Sequence, residues 1–97
     1  MPIAALTLEI HIEAAQSLKD RRQVVRSLKD KLRQGFNISV AELDDAMVWN
    51  RVTIGIAAIS SSRDYLAGLM QQVEQAATRI ANGLGAEIAE SYCEVLD

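Results

Sequence analysis

The stretch ALTLEIHIEAAQSLKDRRQVVRSLKDKLRQG, residues 5–35, changes its hydrophobic period once, and that change decides the fold. Over residues 5–12, Leu6, Leu8, Ile10 and Ile12 alternate with Ala5, Thr7, Glu9 and His11. A period of two sets the four large apolar side chains on one face of a half-buried strand. From Leu18 the spacing becomes helical. At about 100° per residue, Leu18, Val24, Val25, Leu28 and Leu32 fall within an arc of roughly 120°, the expected core-facing stripe. Ser17-x-x-Asp20 reads as the helix start, a capping box with Asp in place of the usual Glu. Gly35 reads as its end.

Working outward, residues 37–43 read as a short second strand with Ile38 and Val40 on one face, and LDDAM (residues 43–47) as a turn. WNRVTIGIAAI, residues 49–59, reads as a third strand with Val52, Ile54 and Ile56 inward. After the loop Ser60-Ser61-Ser62, Ser61-x-x-Asp64 is expected to cap a second helix. Tyr65, Leu66, Leu69, Val73, Ala77, Ile80 and Leu84 recur at helical spacing, and Asn82 and Gly83 are expected to stop it. AEIAESYCEV, residues 86–95, reads as a fourth strand of weaker pattern. The order βαββαβ predicts an α+β, ferredoxin-like sandwich: a four-stranded antiparallel sheet with both helices on one face, one domain over residues 1–97.

Composition narrows the function classes. Of 97 residues, 49% are hydrophobic, enough for one modest core. The apolar runs are short and broken by charge, so no membrane span is expected. MPIAALTLEIHIE lacks the basic flank of a secretory leader, and a single cysteine, Cys93, cannot form an internal disulfide. A cytoplasmic location is expected.

The net charge of −3 hides a polarity. Residues 17–34 hold seven bases and two acids, while the remainder holds three bases and eleven acids. On the helix, Lys19, Arg22, Arg26, Lys29 and Arg33 recur at intervals of three and four and form a ridge about 21 Å long. Such a ridge lacks the alternating signs of a merely solvated face and suits phosphate binding. Asp30 can pair with Arg26 or Arg33. Arg21 points instead into the apolar stripe and is expected to be structural, as a snorkelling stem or in an ion pair.

Other chemistry finds little footing. His11 is the only histidine, with Glu9 and Glu13 near it, too few ligands for a metal site. Cys93 has no activating neighbour in sequence, and the five glycines make no phosphate loop. The open sheet face should carry Thr7, Glu9, His11, Trp49, Arg51, Thr53, Gly55 and Ala57. Of the aromatic residues only Trp49 is expected to face out on a central strand, and near its start, which does not suit base stacking. Its small residues, Ala5, Ala41, Gly55 and Ala57, make a smooth face for a partner or a second copy, with Trp49, Arg51 and His11 as candidate contacts. A non-enzymatic protein without cofactor is expected.

SLKDRRQVVRSLKDKLRQGFNISVAEL, followed by Trp49 and RVTIGIAAI, resembles the bacterial YlxP-like family, a domain of unknown function. Ser17-Leu18-Lys19-Asp20-Arg21-Arg22 and Phe36-Asn37-Ile38-Ser39-Val40-Ala41-Glu42 carry the resemblance most specifically. It implies a ferredoxin-like fold, a gene often found among translation genes, a role as a ribosome-associated factor and no established catalytic residue. The leading expectation is a ribosome- or RNA-associated factor that binds structured RNA through the ridge. The alternative is a protein-interaction or homodimerisation module using the open sheet.

Overall fold

The computed structural model describes residues 1–44 and 48–97. The elements run β1 (Ile3–His11), α1 (Leu18–Gly35), β2 (Ser39–Glu42), β3 (Arg51–Ile59), α2 (Arg63–Gly83) and β4 (Glu87–Leu96). The strands lie in the order β2-β3-β1-β4, and every neighbouring pair is antiparallel. This is the ferredoxin-like arrangement, with both helices contributing to the core on one side of the sheet.

The alternation in β1 and β3 places Leu6, Leu8, Ile10, Val52, Ile54 and Ile56 beneath the helices, each at most 2% exposed. From above, α1 contributes Val25, Leu28 and Leu32, and α2 contributes Leu66, Met70, Val73, Ala77 and Ala81. The register sets Thr7 beside Gly55, Glu9 beside Thr53 and His11 beside Arg51 on the opposite, uncovered face.

Several sequence expectations are corrected. Leu18 is 46% exposed, because the inner stripe of α1 runs Arg21, Val25, Leu28, Leu32 and places Leu18 at its margin. Trp49 lies in the turn ahead of β3 and not on the strand, which begins at Arg51. The second helix is capped by Ser62, whose hydroxyl accepts from the Tyr65 N–H at 3.1 Å, not by Ser61. Helix α2 does end at Gly83, as expected. The chain leaves it at Leu84 and Gly85, where Gly85 takes φ 78 and a Cβ would lie 2.6 Å from the Ala14 Cβ. Of the expected 43–47 turn, Asp45, Ala46 and Met47 lie outside the described residues.

The capping box of α1 forms in modified geometry. The Ser17 hydroxyl accepts from the Asp20 N–H at 3.2 Å, and the Asp20 carboxylate reaches back to the Gln16 N–H at 3.0 Å. The weak pattern of β4 also has a cause. Glu9 pairs with Glu90 but Ile10 pairs with Ile88, so a bulge absorbs one residue and switches the facing of the strand. Among the described residues, no helix is long and apolar enough to cross a membrane.

Candidate nucleic-acid interface

Helix α1 lies over the β2 side of the sheet, and two arginines fasten it there. Near its start, Arg21 is 3% exposed and fully engaged. Its Nε donates to the Arg51 carbonyl at 3.1 Å, Nη1 to Glu42 Oε2 at 2.8 Å and Nη2 to Asp44 Oδ1 at 3.0 Å. The planar guanidinium thereby joins α1 to the end of β2 and the start of β3 in one fork. In the last turn, Arg33 Nη2 donates to the Val40 carbonyl of the edge strand at 2.9 Å, with Asp30 at 3.9 Å.

Between these fastenings runs an open groove of about 450 Å³. Val25, 3% exposed, lies deepest, Leu18 stands at the margin, and Arg22, Arg26 and Lys29 line it along the helix, with Glu42 across from them. Lys19 continues the same row on the outer flank, beside Arg22 and Arg26. The structure thus brings together Lys19, Arg22, Arg26 and Lys29, which take part in no ion pair among the described residues. Arg33, the fifth residue of the expected ridge, is partly spent on Val40 and Asp30. Asp30 turns toward Arg33 and makes no ion pair with Arg26.

The electrostatics of the groove follow from this sorting. Arg21 offsets one of the two carboxylate charges of Glu42 and Asp44, so these groups weaken the field of the ridge by about one unit rather than two. The four free bases project at axial intervals of about 4.5–6 Å over roughly 15 Å. An array of this kind can neutralise a run of phosphates.

The remaining candidates are apart from the groove. His11 and Arg51 are exposed side by side at one end of the uncovered sheet face, where they line a shallow pocket of about 380 Å³ with Glu13, Val48 and Asn50. Trp49, 49% exposed, is in the adjoining turn. Cys93 stands on β4 toward α2. Partial burial, and then the Glu74 and Glu94 carboxylates, push its thiol above the ordinary value, which holds it in the unreactive protonated form. Among the described residues, no three His, Cys, Asp or Glu side chains group to hold a metal ion.

Sequence reasoning missed the partners of Arg21. They lie 21 and 23 residues away, and only the meeting of α1 with the end of β2 brings them together. It also missed the engagement of Arg33. An unpaired carbonyl on an edge strand is a signal for such a bond only after the strand order is known.

A family model described as protein of unknown function (DUF503) matches residues 3–92. The uncharacterized protein YlxP of Bacillus subtilis (strain 168) is 37% identical over 65 residues, 67% of this chain and 71% of the relative. Among solved structures, a de novo designed protein with ferredoxin fold aligns with a TM-score of 0.55 at 14% identity, over 100% of this chain and 87% of that one. The dinuclear metal-binding M20-family peptidase YxeP of Bacillus subtilis aligns with a TM-score of 0.61 at 11% identity. That alignment covers 97% of this chain and 25% of the peptidase, so this chain spans a quarter of its length. At such identities the two structures show a shared fold alone.

Proposed function

The chain belongs to the DUF503 family of proteins of unknown function, and on that premise we propose that it is a small non-enzymatic protein that docks on structured RNA, with ribosomal RNA as its partner. The observation that supports this reading is the row Lys19, Arg22, Arg26 and Lys29 beside the α1 groove, without ion-pair partners among the described residues, on a protein of net charge −3. A protein that is acidic overall gains nothing from nonspecific attraction to RNA. A concentrated basic strip on it therefore acts locally and orients the molecule. Contacts of this type hold a phosphate backbone in register and read no base.

Arg21 and Arg33 serve this surface indirectly. By fixing α1 against β2 at both ends they hold the four bases on a rigid rod, which limits the entropy lost on docking. The reading places the protein with its helical side toward RNA in the cytoplasm and assigns no cofactor and no membrane.

Salt dependence tests it. With four free bases each displacing one counterion, affinity for a structured ribosomal RNA fragment should fall with a log–log slope of roughly −2.8 to −3.6. Fluorescence anisotropy across a salt series measures this directly. A slope near zero, or binding too weak to measure at low salt, overturns the proposal.

A further inference from the structure

The uncovered sheet face has an arrangement that the α1 groove does not use. Its side chains fall into rows across the strands. The first row is Ile59, Ile3 and Leu96, which are 58%, 39% and 52% exposed. On β2, β3 and β1 the middle of the face is small or uncharged, with Ser39, Ala57 and Ala5, then Ala41, Gly55 and Thr7, while Glu94 and Tyr92 complete these two rows at the β4 edge. Leu43 lies across Gly55, where a Cβ would come within 2.8 Å of its side chain. Apart from Glu94 on the β4 edge, the charge is gathered at the far end, with Arg51, His11, Glu9, Glu87 and Glu90. Three of those are carboxylates, and none of them, nor Arg51, makes an ion pair among the described residues.

We propose that this face is a homodimer interface in which a second copy packs sheet on sheet about a two-fold axis parallel to the strands. Two arguments choose a second copy as the occupant. The first is charge complementarity. An axis parallel to the strands lays each row on the same row of the other copy while exchanging left and right. The apolar end then meets the apolar end, and the arginine end meets the acidic end, with Arg51 passing over β1 and within reach of the partner's Glu9 and the partner's Glu87. An axis across the strands would instead bury five ionisable groups against Ile3, Ile59 and Leu96. The second argument is area. Four strands about 4.8 Å apart and five rows about 6.8 Å apart give roughly 500 Å² of face, so two copies cover about 1,000 Å², the lower bound of specific interfaces. Both α1 grooves remain on the outer surfaces of the sandwich, so the proposal is independent of the RNA reading.

Sedimentation equilibrium of the full chain tests this over a concentration series without RNA. The wild type should reach the dimer mass. Ala57→Arg, placed within the face on a strand next to the axis, should remain monomeric at concentrations where the wild type is dimeric, while keeping a cooperative melting transition. Arg51→Ala should weaken the dimer about five- to tenfold. A wild type that stays monomeric up to millimolar concentration leaves the face to a different protein and overturns the proposal. A dimer that survives Ala57→Arg places the interface elsewhere, and a dimer tightened by Arg51→Ala contradicts the orientation. Because RNA is absent, none of these outcomes bears on the basic groove.

Discussion

Leu28→Asp is expected to leave the chain without a cooperative unfolding transition. Leu28 is 1% exposed, at the centre of the inner stripe of α1 against the sheet. Removing it forfeits roughly 1.5–3 kcal/mol of apolar burial. Placing a carboxylate there adds several kcal/mol of desolvation, because no base from the core can pair with it. A domain of this length has about 5–15 kcal/mol in total, so the sum takes most or all of it. The repeated tetrapeptide SLKD supplies an internal control. Leu18 occupies the same place in the first copy but is 46% exposed, and Leu18→Asp should cost under about 1 kcal/mol. Thermal melts followed by circular dichroism separate the two. A Leu28→Asp protein that melts like wild type would mean that the helix presents another face to the core.

Arg21→Ala is expected to cost about 2–3 kcal/mol and Arg21→Lys nearly as much. The alanine variant loses three hydrogen bonds and the buried stem, and leaves Glu42 and Asp44 facing each other without a cation. The figure is lower than for a fully buried pair, since the two carboxylates retain 25% and 32% side-chain exposure and rehydrate in part. Lysine restores the charge but cannot reach two carboxylates and a carbonyl at once from a single point. Urea unfolding of the three proteins measures the difference. Lysine matching wild type would mean that charge alone, and not the fork, fastens the helix.

Much of the fold was legible because β1, β3, α1 and α2 are amphipathic with clear periods. Facing was legible too: the alternation in residues 5–12 places Thr7, Glu9 and His11 on the uncovered face, while their pairing with Gly55, Thr53 and Arg51 is known only from the structure. Boundaries failed where local signals compete. Ser61 and Ser62 are both cap-competent, and the position is decided by which hydroxyl reaches the N–H three residues on. The end of α2 at Gly83 was legible, but the left-handed residue beyond it, Gly85, was not. Trp49 extended the strand on paper because an aromatic residue before RVTIGIAAI looks β-like, yet the chain is still turning there.

The candidate site was half legible. The basic spacing on α1 is a sequence property, since a helix of known phase fixes which side chains are neighbours. Which bases remain available is not. Arg21 and Arg33 carry the same charge as Arg22 and Arg26, and only the position of β2 sorts the fastening pair from the free pair. The exposed placement of Leu18 has the same origin: α1 is phased by Arg21, whose fork draws that side of the helix onto the sheet.

The central claim is that the free bases of α1 bind structured RNA, and reversing two of them tests it most directly. Arg26 is exposed and Lys29 half-buried on the flank of the helix, so Arg26→Glu/Lys29→Glu should melt within about 1 kcal/mol of wild type. The pair changes the groove by four charge units, each worth about 0.6 kcal/mol to a nearby phosphate in water, so affinity should drop roughly 60-fold. With two bases left, the salt slope should shrink to about half, near −1.8. The measurement is cosedimentation of wild type and variant with purified ribosomal subunits across a salt series, with melting curves as the control for folding. The account predicts that the wild type sediments with a subunit at low salt and is released as salt rises, while the folded variant sediments far less at low salt and is released at lower salt than the wild type. A folded variant that sediments as well as wild type would contradict it.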